Sequence, residues 1–191
     1  MSLILEDFNS SLNIFSMSEQ IILVDEKDQQ IGEMEKMQAH AEGRLHRAFS
    51  VFIFNSKGEM LLQQRAKSKY HSGGLWTNTV CSHPRVGEDL LSEVHRRLQE
   101  EMGFDTEVKE IFSFIYKVPL DNDLFEHEFD HVFVGFYDGE PKINPQEAES
   151  YKWVTLDDIQ FDIEIDPQNY TEWFKIIFEK NLQHIERALK K

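Results

Sequence analysis

The chain has 191 residues, the size of one ordinary domain, and 40% of them are hydrophobic, with 15 Phe and 3 Trp, so a substantial core can be buried. Subtracting 35 acidic from 20 basic side chains gives a formal charge of −15, which excludes a surface built to hold nucleic acid but leaves room for a locally basic pocket. The single cysteine excludes an intrachain disulfide framework and fits a reducing, cytoplasmic setting; no apolar run approaches the ~18 residues of a membrane span, and the first residues lack a signal-peptide pattern.

Residues 1–191 read as a single domain, because no repeat, low-complexity tract or Pro/Gly linker interrupts them. Residues 1–16 carry little pattern and are expected to be disordered or an extra N-terminal segment. Ile21 to Val24, followed by Asp25-Glu26-Lys27-Asp28, reads as a strand entering a turn. Glu33 to His40 is short, polar and helix-compatible. Phe49 to Phe54 is a dense apolar run that Asn55-Ser56-Lys57-Gly58 turns back into Met60 to Gln64, a hairpin with suitable turn residues. Gly73, Gly74, Pro84 and Gly87 make residues 66–87 mostly loop around short extended pieces.

Glu88 to Met102 has the clearest helical pattern: Leu90, Val94, Leu98 and Met102 form one stripe, and Gly103 is a ready stop. Residues 110–118 and 129–137 are rich in Phe, Val and Tyr and read as strands, with a shorter one at Tyr151 to Val154. Trp173 to Leu189 closes the chain as an amphipathic helix. Strands mixed with helices at both ends predict an α/β fold, an α/β/α sandwich around a mixed sheet.

Two motifs carry chemistry. Ser82-x5-Glu88-x7-Arg96-Arg97-Leu98-Gln99-Glu100-Glu101-Met102-Gly103-Phe104 resembles the Nudix box, in which carboxylates along one helix gather a hard cation at a diphosphate. Ser82 stands in place of the opening Gly, and Arg97 replaces a Glu, exchanging a metal ligand for a phosphate-binding guanidinium. Immediately before it, Trp76-Thr77-Asn78-Thr79-Val80-Cys81-Ser82-His83-Pro84 resembles the signature of type I isopentenyl diphosphate isomerases. Phe125-Glu126-His127-Glu128 is similar to that family's Glu-x-Glu, and His40 and His46 bracket Arg44-Leu45 as its histidine pair does. The likeness covers roughly residues 20–180.

The resemblance implies a Nudix-like fold and a 1,3-allylic proton shift converting isopentenyl to dimethylallyl diphosphate. That reaction needs two proton-transfer groups on opposite faces of a flat substrate in a pocket that excludes water. The resemblance assigns Cys81 to one face and Glu128, with Tyr116, to the other. It assigns His40, His46, His83, Glu126 and Glu128 to a metal, and imidazole with carboxylate suits Mn²⁺ or Zn²⁺. Glu101 goes to a second site, for Mg²⁺ bound with the substrate diphosphate. Lys36, Arg65, Lys69, Ser82 and Arg97 resemble the diphosphate clamp, and Trp173 offers its π-face to the carbocation. The implied partner is a small-molecule substrate, with no nucleic acid or membrane, and the protein is expected to be a monomer or weak homodimer.

Taken singly, these residues have plainer readings. A lone Cys is most often a buried structural one. Glu93, Arg97 and Glu101 also read as a solvated i,i+4 stripe, Lys36 and Lys69 as ordinary surface lysines, and Trp173 as core. His71, His95, His127, His131 and His184 match no motif and read as structural or exposed. Two other functions compete with this reading. A Nudix hydrolase is disfavoured by Arg97 and by the cysteine motif. A non-catalytic binding domain predicts losses among Cys81, His83, Glu126 and Glu128, and all four are present.

Overall fold

The computed structural model describes residues 19–190; the expectation for residues 1–16 lies outside them. The strands are β1 (Gln20–Val24), β2 (Gln30–Glu35), β3 (His46–Phe54), β4 (Met60–Arg65), β5 (Trp76–Thr77), β6 (Val80–Ser82), β7 (Val108–Pro119), β8 (Phe125–Phe136) and β9 (Ala148–Val154). The helices are α1 (Lys36–Glu42), α2 (Leu90–Met102), α3 (Leu156–Ile165) and α4 (Glu172–Leu189). Among the described residues no helix is long and apolar enough to cross a membrane.

The centre of the mixed sheet is β3, paired parallel to β8 from His46↔Glu128 to Phe54↔Phe136. On its other side β3 meets β1 at one end, β6 in the middle and β4 at its hairpin end. Strand β4 continues the sheet through β5 and β9, and β7 pairs antiparallel with β8. A parallel pair needs a long crossover, and here the chain between β3 and β8 supplies α2 and β7.

The apolar run of β3 is continuous because both its faces are covered. Phe52 and Phe54 pack with Leu62, Val132, Trp173, Phe174 and Ile177 on the α3/α4 face. Phe49, Val51 and Ile53 pack with Leu61, Phe133, Val94, Leu98 and Met102 on the α2 face. The period-2 alternation of the strands thus divides one sheet between two helical layers, the sandwich that the sequence predicts. Helix α2 starts where Asp89 accepts a hydrogen bond from the Ser92 amide at 3.0 Å. It ends at Gly103, in the left-handed region at φ 72°, where a Cβ would run into the Lys142 carbonyl.

Two local readings need correction. Glu33–Glu35 is not helical: it belongs to β2, which pairs with β1 (Ile22↔Glu33, Gln20↔Glu35), and the helix begins only at Lys36. An edge strand with one wet side carries no apolar run, so pairing overrode local propensity there. Helix α3 was not predicted, although Thr155, whose hydroxyl accepts from the Asp158 amide at 3.2 Å, and the buried pair Ile159 and Ile163 are its start signal and core stripe.

Candidate functional site

The segment Thr77-Asn78-Thr79 explains why the cysteine motif has the residues it has. Strands β3 and β4 pair only at Phe54↔Met60 and then diverge, leaving backbone groups to be satisfied. Thr79 bridges the gap, accepting from the Ile53 amide (3.0 Å) and donating to the Leu61 carbonyl (2.7 Å). The Asn78 amide donates to the carbonyls of Val51 and Val80, and Thr171 donates to Thr77. All three motif residues are fully buried. They form a polar staple that fixes β6, and with it Cys81, against β3.

Cys81 sits opposite Ser50 on β3, and His46 of β3 sits opposite Glu128 on β8. Cys81 and Glu128 therefore come from strands on either side of β3, Cys81 level with Ser50 and Glu128 level with His46, four residues away along that strand. Both line one narrow cavity of about 60 Å³, together with Lys36, Arg65, Lys69, Ser82, His83, Arg97, Glu101, Glu126 and Trp173. Larger grooves lie elsewhere on the surface, at the β7/α4 edge and between α3 and α4, but none gathers comparable chemistry. Burial, reinforced by Glu128 and Asp130, pushes the Cys81 thiol well above its ordinary value. It remains a proton carrier, not a thiolate.

Glu126, Glu128 and Asp130 alternate along β8 with His127, Phe129 and His131, so the three carboxyls share a face. Glu128 Oε2 accepts from the Tyr116 hydroxyl at 2.6 Å, and Oε1 lies 3.0 Å from His83 Nε2 and 3.7 Å from His46 Nε2. Burial alone would raise the Glu128 carboxyl, but the adjoining imidazoles of His46 and His83 hold it well below the usual range. Burial and the charge of Glu128 push Glu126 well above it. The same two causes keep the Tyr116 hydroxyl protonated, as donor to Glu128.

His40, His46, His83 and Glu126 each present one ligand atom, all within 4.8 Å of one another. The tautomers follow from the backbone. His40 Nδ1 meets the Lys36 carbonyl at 2.7 Å and His46 Nδ1 meets the Arg44 carbonyl at 2.8 Å, so both rings donate there and turn Nε2 lone pairs inward. Burial lowers His40 and His83, which favours the neutral, ligating form. His40 Nε2 and Glu126 Oε2 are 3.1 Å apart yet not aligned for a hydrogen bond, so both buried atoms are left without a hydrogen-bond partner. His46 Nε2 and His83 Nε2 face each other at 3.1 Å. Lone pairs converging in this way, beside two carboxylates, fit a divalent cation.

The remaining predicted residues line the same cavity. Glu101 is buried on α2, taking Arg97 on Oε1 (2.7 Å) and Gln63 on Oε2 (3.0 Å). Arg97 also meets Glu100, so part of the i,i+4 stripe does form, but Glu93 turns instead to Arg85 and Arg96. Lys36 pairs with Glu19 at 3.0 Å, and Lys69 pairs with Glu147. Trp173 is 1% exposed, and its ring already faces the Arg65 guanidinium at 5.2 Å.

Some residues lining or backing the cavity escaped the sequence. His71, read as structural or exposed, is buried with Nε2 3.4 Å from Glu126 Oε1 and its ring edge-on to Trp173. Ser50 donates to Asp130 at 2.8 Å and lies 3.8 Å from Cys81 Sγ. Asp130 was legible by extending the Glu126, Glu128 alternation two residues further. His71 had no such signal, since loop 66–75 brings it in.

Glu93 holds the loop after His83. It accepts from the Arg85 amide at 3.0 Å and from the guanidinium groups of Arg85 and Arg96. Burial opposes its ionisation, but these bonds win and hold its carboxyl at about 2, against 4.5 ordinarily. A depressed carboxyl stabilises the fold above its unfolded pKa, and that stability disappears as pH falls through the folded value. The melting temperature of Glu93→Gln is therefore expected to lie below that of the wild type at pH 7. The gap should close between pH 4.5 and about 2. A gap independent of pH would rule out the ionic role.

The family described as NUDIX domain matches residues 44–174. An isopentenyl-diphosphate Delta-isomerase of Serratia proteamaculans is 50% identical over 163 residues, 85% of this chain and 91% of its own length. An isopentenyl-diphosphate Delta-isomerase 2 of Photorhabdus laumondii is 53% identical over 171 residues, covering 89% and 97%. The crystal structure of a protein from Deinococcus radiodurans superposes with a TM-score of 0.66 at 21% identity, over 78% of this chain and 90% of that one, a likeness of fold alone. With half its residues shared across most of its length, the chain belongs to the isopentenyl-diphosphate Delta-isomerases of the NUDIX-domain family.

Proposed function

We propose that this chain interconverts isopentenyl and dimethylallyl diphosphate by adding a proton to one face of the substrate and removing one from the other. The observation that carries the reading is the placement of Cys81 and Glu128 on strands flanking β3, lining one cavity. A protonated thiol on one side and an ionised carboxylate on the other are matched to donate and accept. Tyr116 is hydrogen-bonded to Glu128 and is positioned to pass a proton between that carboxylate and the substrate. The π-face of Trp173, a buried residue lining the cavity, suits the charge of a tertiary carbocation.

His40, His46, His83, Glu126 and Glu128 would hold Mn²⁺ or Zn²⁺, which when bound supplies positive charge that keeps the two carboxylates ionised side by side. Lys36, Arg65, Lys69, Ser82 and Arg97 would hold the diphosphate, with Glu101 serving the Mg²⁺ that accompanies it. Arg97 in place of a box glutamate favours gripping the diphosphate over cleaving it.

The test is to incubate the protein with isopentenyl diphosphate in D₂O and follow the products. Conversion to dimethylallyl diphosphate, deuterium entering carbon and no phosphate release is the expected result. Phosphate release without isomerisation would restore a hydrolase. In parallel, metal-stripped protein is expected to take up one equivalent of Mn²⁺ or Zn²⁺, and His83→Ala to lose that uptake; undiminished uptake would remove His83 from the ligands.

A further inference from the structure

The clamp proposed for the diphosphate is not open in this structure, because an internal carboxylate already lies in it. Glu147, in the loop before β9, pairs with Lys69 Nζ and lies 3.2 Å from Arg97 NH2. These are two of the cations read above as diphosphate ligands, and Glu147 lines the cavity beside them. Without Glu147, Lys69 (24% exposed) would lose its carboxylate partner and strand partly buried charge, while Arg97 (17% exposed) would keep Glu100 and Glu101.

We propose that Glu147 is an internal stand-in for the substrate's diphosphate, neutralising Lys69 and Arg97 until the diphosphate displaces it. The inference rests on the diphosphate reading of those two cations.

Glu147 is suited to leave where Glu101 is not. Both oxygens of Glu101 are engaged, by Arg97 and Gln63, and its carboxylate is buried on a helix. The Glu147 carboxylate is 19% exposed at the cavity rim and bonded to the two cations. Its backbone, by contrast, is anchored: its amide donates to the Asn144 carbonyl and its carbonyl accepts from the Ala66 amide, each at 2.9 Å. A side-chain rotation, with no loop movement, would expose the clamp. Charge-assisted bonds to Lys69 and Arg97 hold the carboxyl below its ordinary range despite burial, so it stays ionised and competes with an incoming anion near neutral pH.

The displacement has a cost that substrate affinity must overcome, and removing the charge of Glu147 should return it. Inorganic diphosphate, titrated calorimetrically without divalent cation, is expected to bind Glu147→Gln about tenfold tighter than wild type, because charge-assisted hydrogen bonds no longer have to be broken. The ligand-free variant should melt lower than the wild type, and diphosphate should raise its melting temperature by more. A merely structural role would lower stability without tightening binding.

Equal or weaker binding by the variant overturns the proposal. So does weakening seen only with Mg²⁺ present, which would make Glu147 a metal ligand. If Glu147→Gln does not fold, Glu147→Asp carries the test: its carboxylate is drawn back by one methylene, and binding no tighter than wild type again overturns it. Lys69→Gln and Arg97→Gln test the underlying reading separately. If these two bind diphosphate as the wild type does, the clamp assignment falls and the inference with it.

Discussion

Glu128→Gln is expected to lower turnover by about 10⁴-fold or more, beyond the usual contribution of a single general base, because the proposed roles of proton acceptor, metal ligand and partner of Tyr116 meet in one carboxylate. Glu128 accepts from Tyr116 at 2.6 Å, faces His83 at 3.0 Å and adjoins His46 at 3.7 Å. An amide of the same shape takes up no proton and carries no charge. It also ligates a cation weakly, so metal affinity should fall with turnover. The surrounding fold should survive, since Gln fills the same volume in a strand paired on both sides. Steady-state isomerisation, metal titration and deuterium incorporation from D₂O measure the three consequences. Near-normal turnover would refute the role given to Glu128, whatever happened to the metal.

Cys81→Ala is the second large effect, with turnover expected to fall about 10³- to 10⁴-fold. The thiol sits in the cavity with Ser50 at 3.8 Å, and burial together with Glu128 and Asp130 keeps it protonated. Removing it leaves the other face intact. Among the described residues the thiol's hydrogen-bond neighbour is Ser50 and not a cation of the proposed clamp, so binding of inorganic diphosphate should change by less than about threefold, an effect worth under 1 kcal/mol. That separation is diagnostic. If turnover and diphosphate binding fall together, Cys81 acts by supporting the β6 segment and not by carrying a proton. If turnover persists, the two-face mechanism is wrong at this residue.

The two variants also separate what the pair contributes. Glu128 adjoins His46 and His83, bonds Tyr116 and, along one strand face, neighbours Glu126 and Asp130, so its loss is expected to spread. Cys81 has Ser50 as its hydrogen-bond neighbour, so the structural effect of its loss is expected to stay local. A double variant no worse than Glu128→Gln would indicate one proton-transfer path with two stations, as expected for groups that act as a unit.

Local pattern was sufficient where one physical signal dominated. The four-residue stripe of Leu90, Val94, Leu98 and Met102 specified α2, because that face meets β3 directly. The alternation of Glu126 and Glu128 placed two carboxylates on one face before any strand partner was known, since the pleat of a strand imposes it. Trp76 to Pro84 carried the family resemblance, and its Asn78 and Thr79 are the residues that bridge a diverging sheet.

Tertiary structure decided what depends on partners distant in sequence. β2 became a strand because β1 offered it an edge, against the helical tendency of Glu33–Glu35. His71 reached Glu126 through a loop whose path no periodicity encodes. The inward-facing lone pairs of His40 and His46 depend on backbone carbonyls that accept from their Nδ1 atoms, a matter of local geometry that residue type alone does not set. Glu147, without a motif in the sequence, lies between Lys69 and Arg97 only because β4 and β9 are paired and carry its loop over the cavity. The sequence by itself determined which chemical groups this protein has and which sheet face they share. Only the folded chain decided which charges meet, because Coulombic and hydrogen-bond energies fall off over a few ångströms while the residues involved lie tens of positions apart.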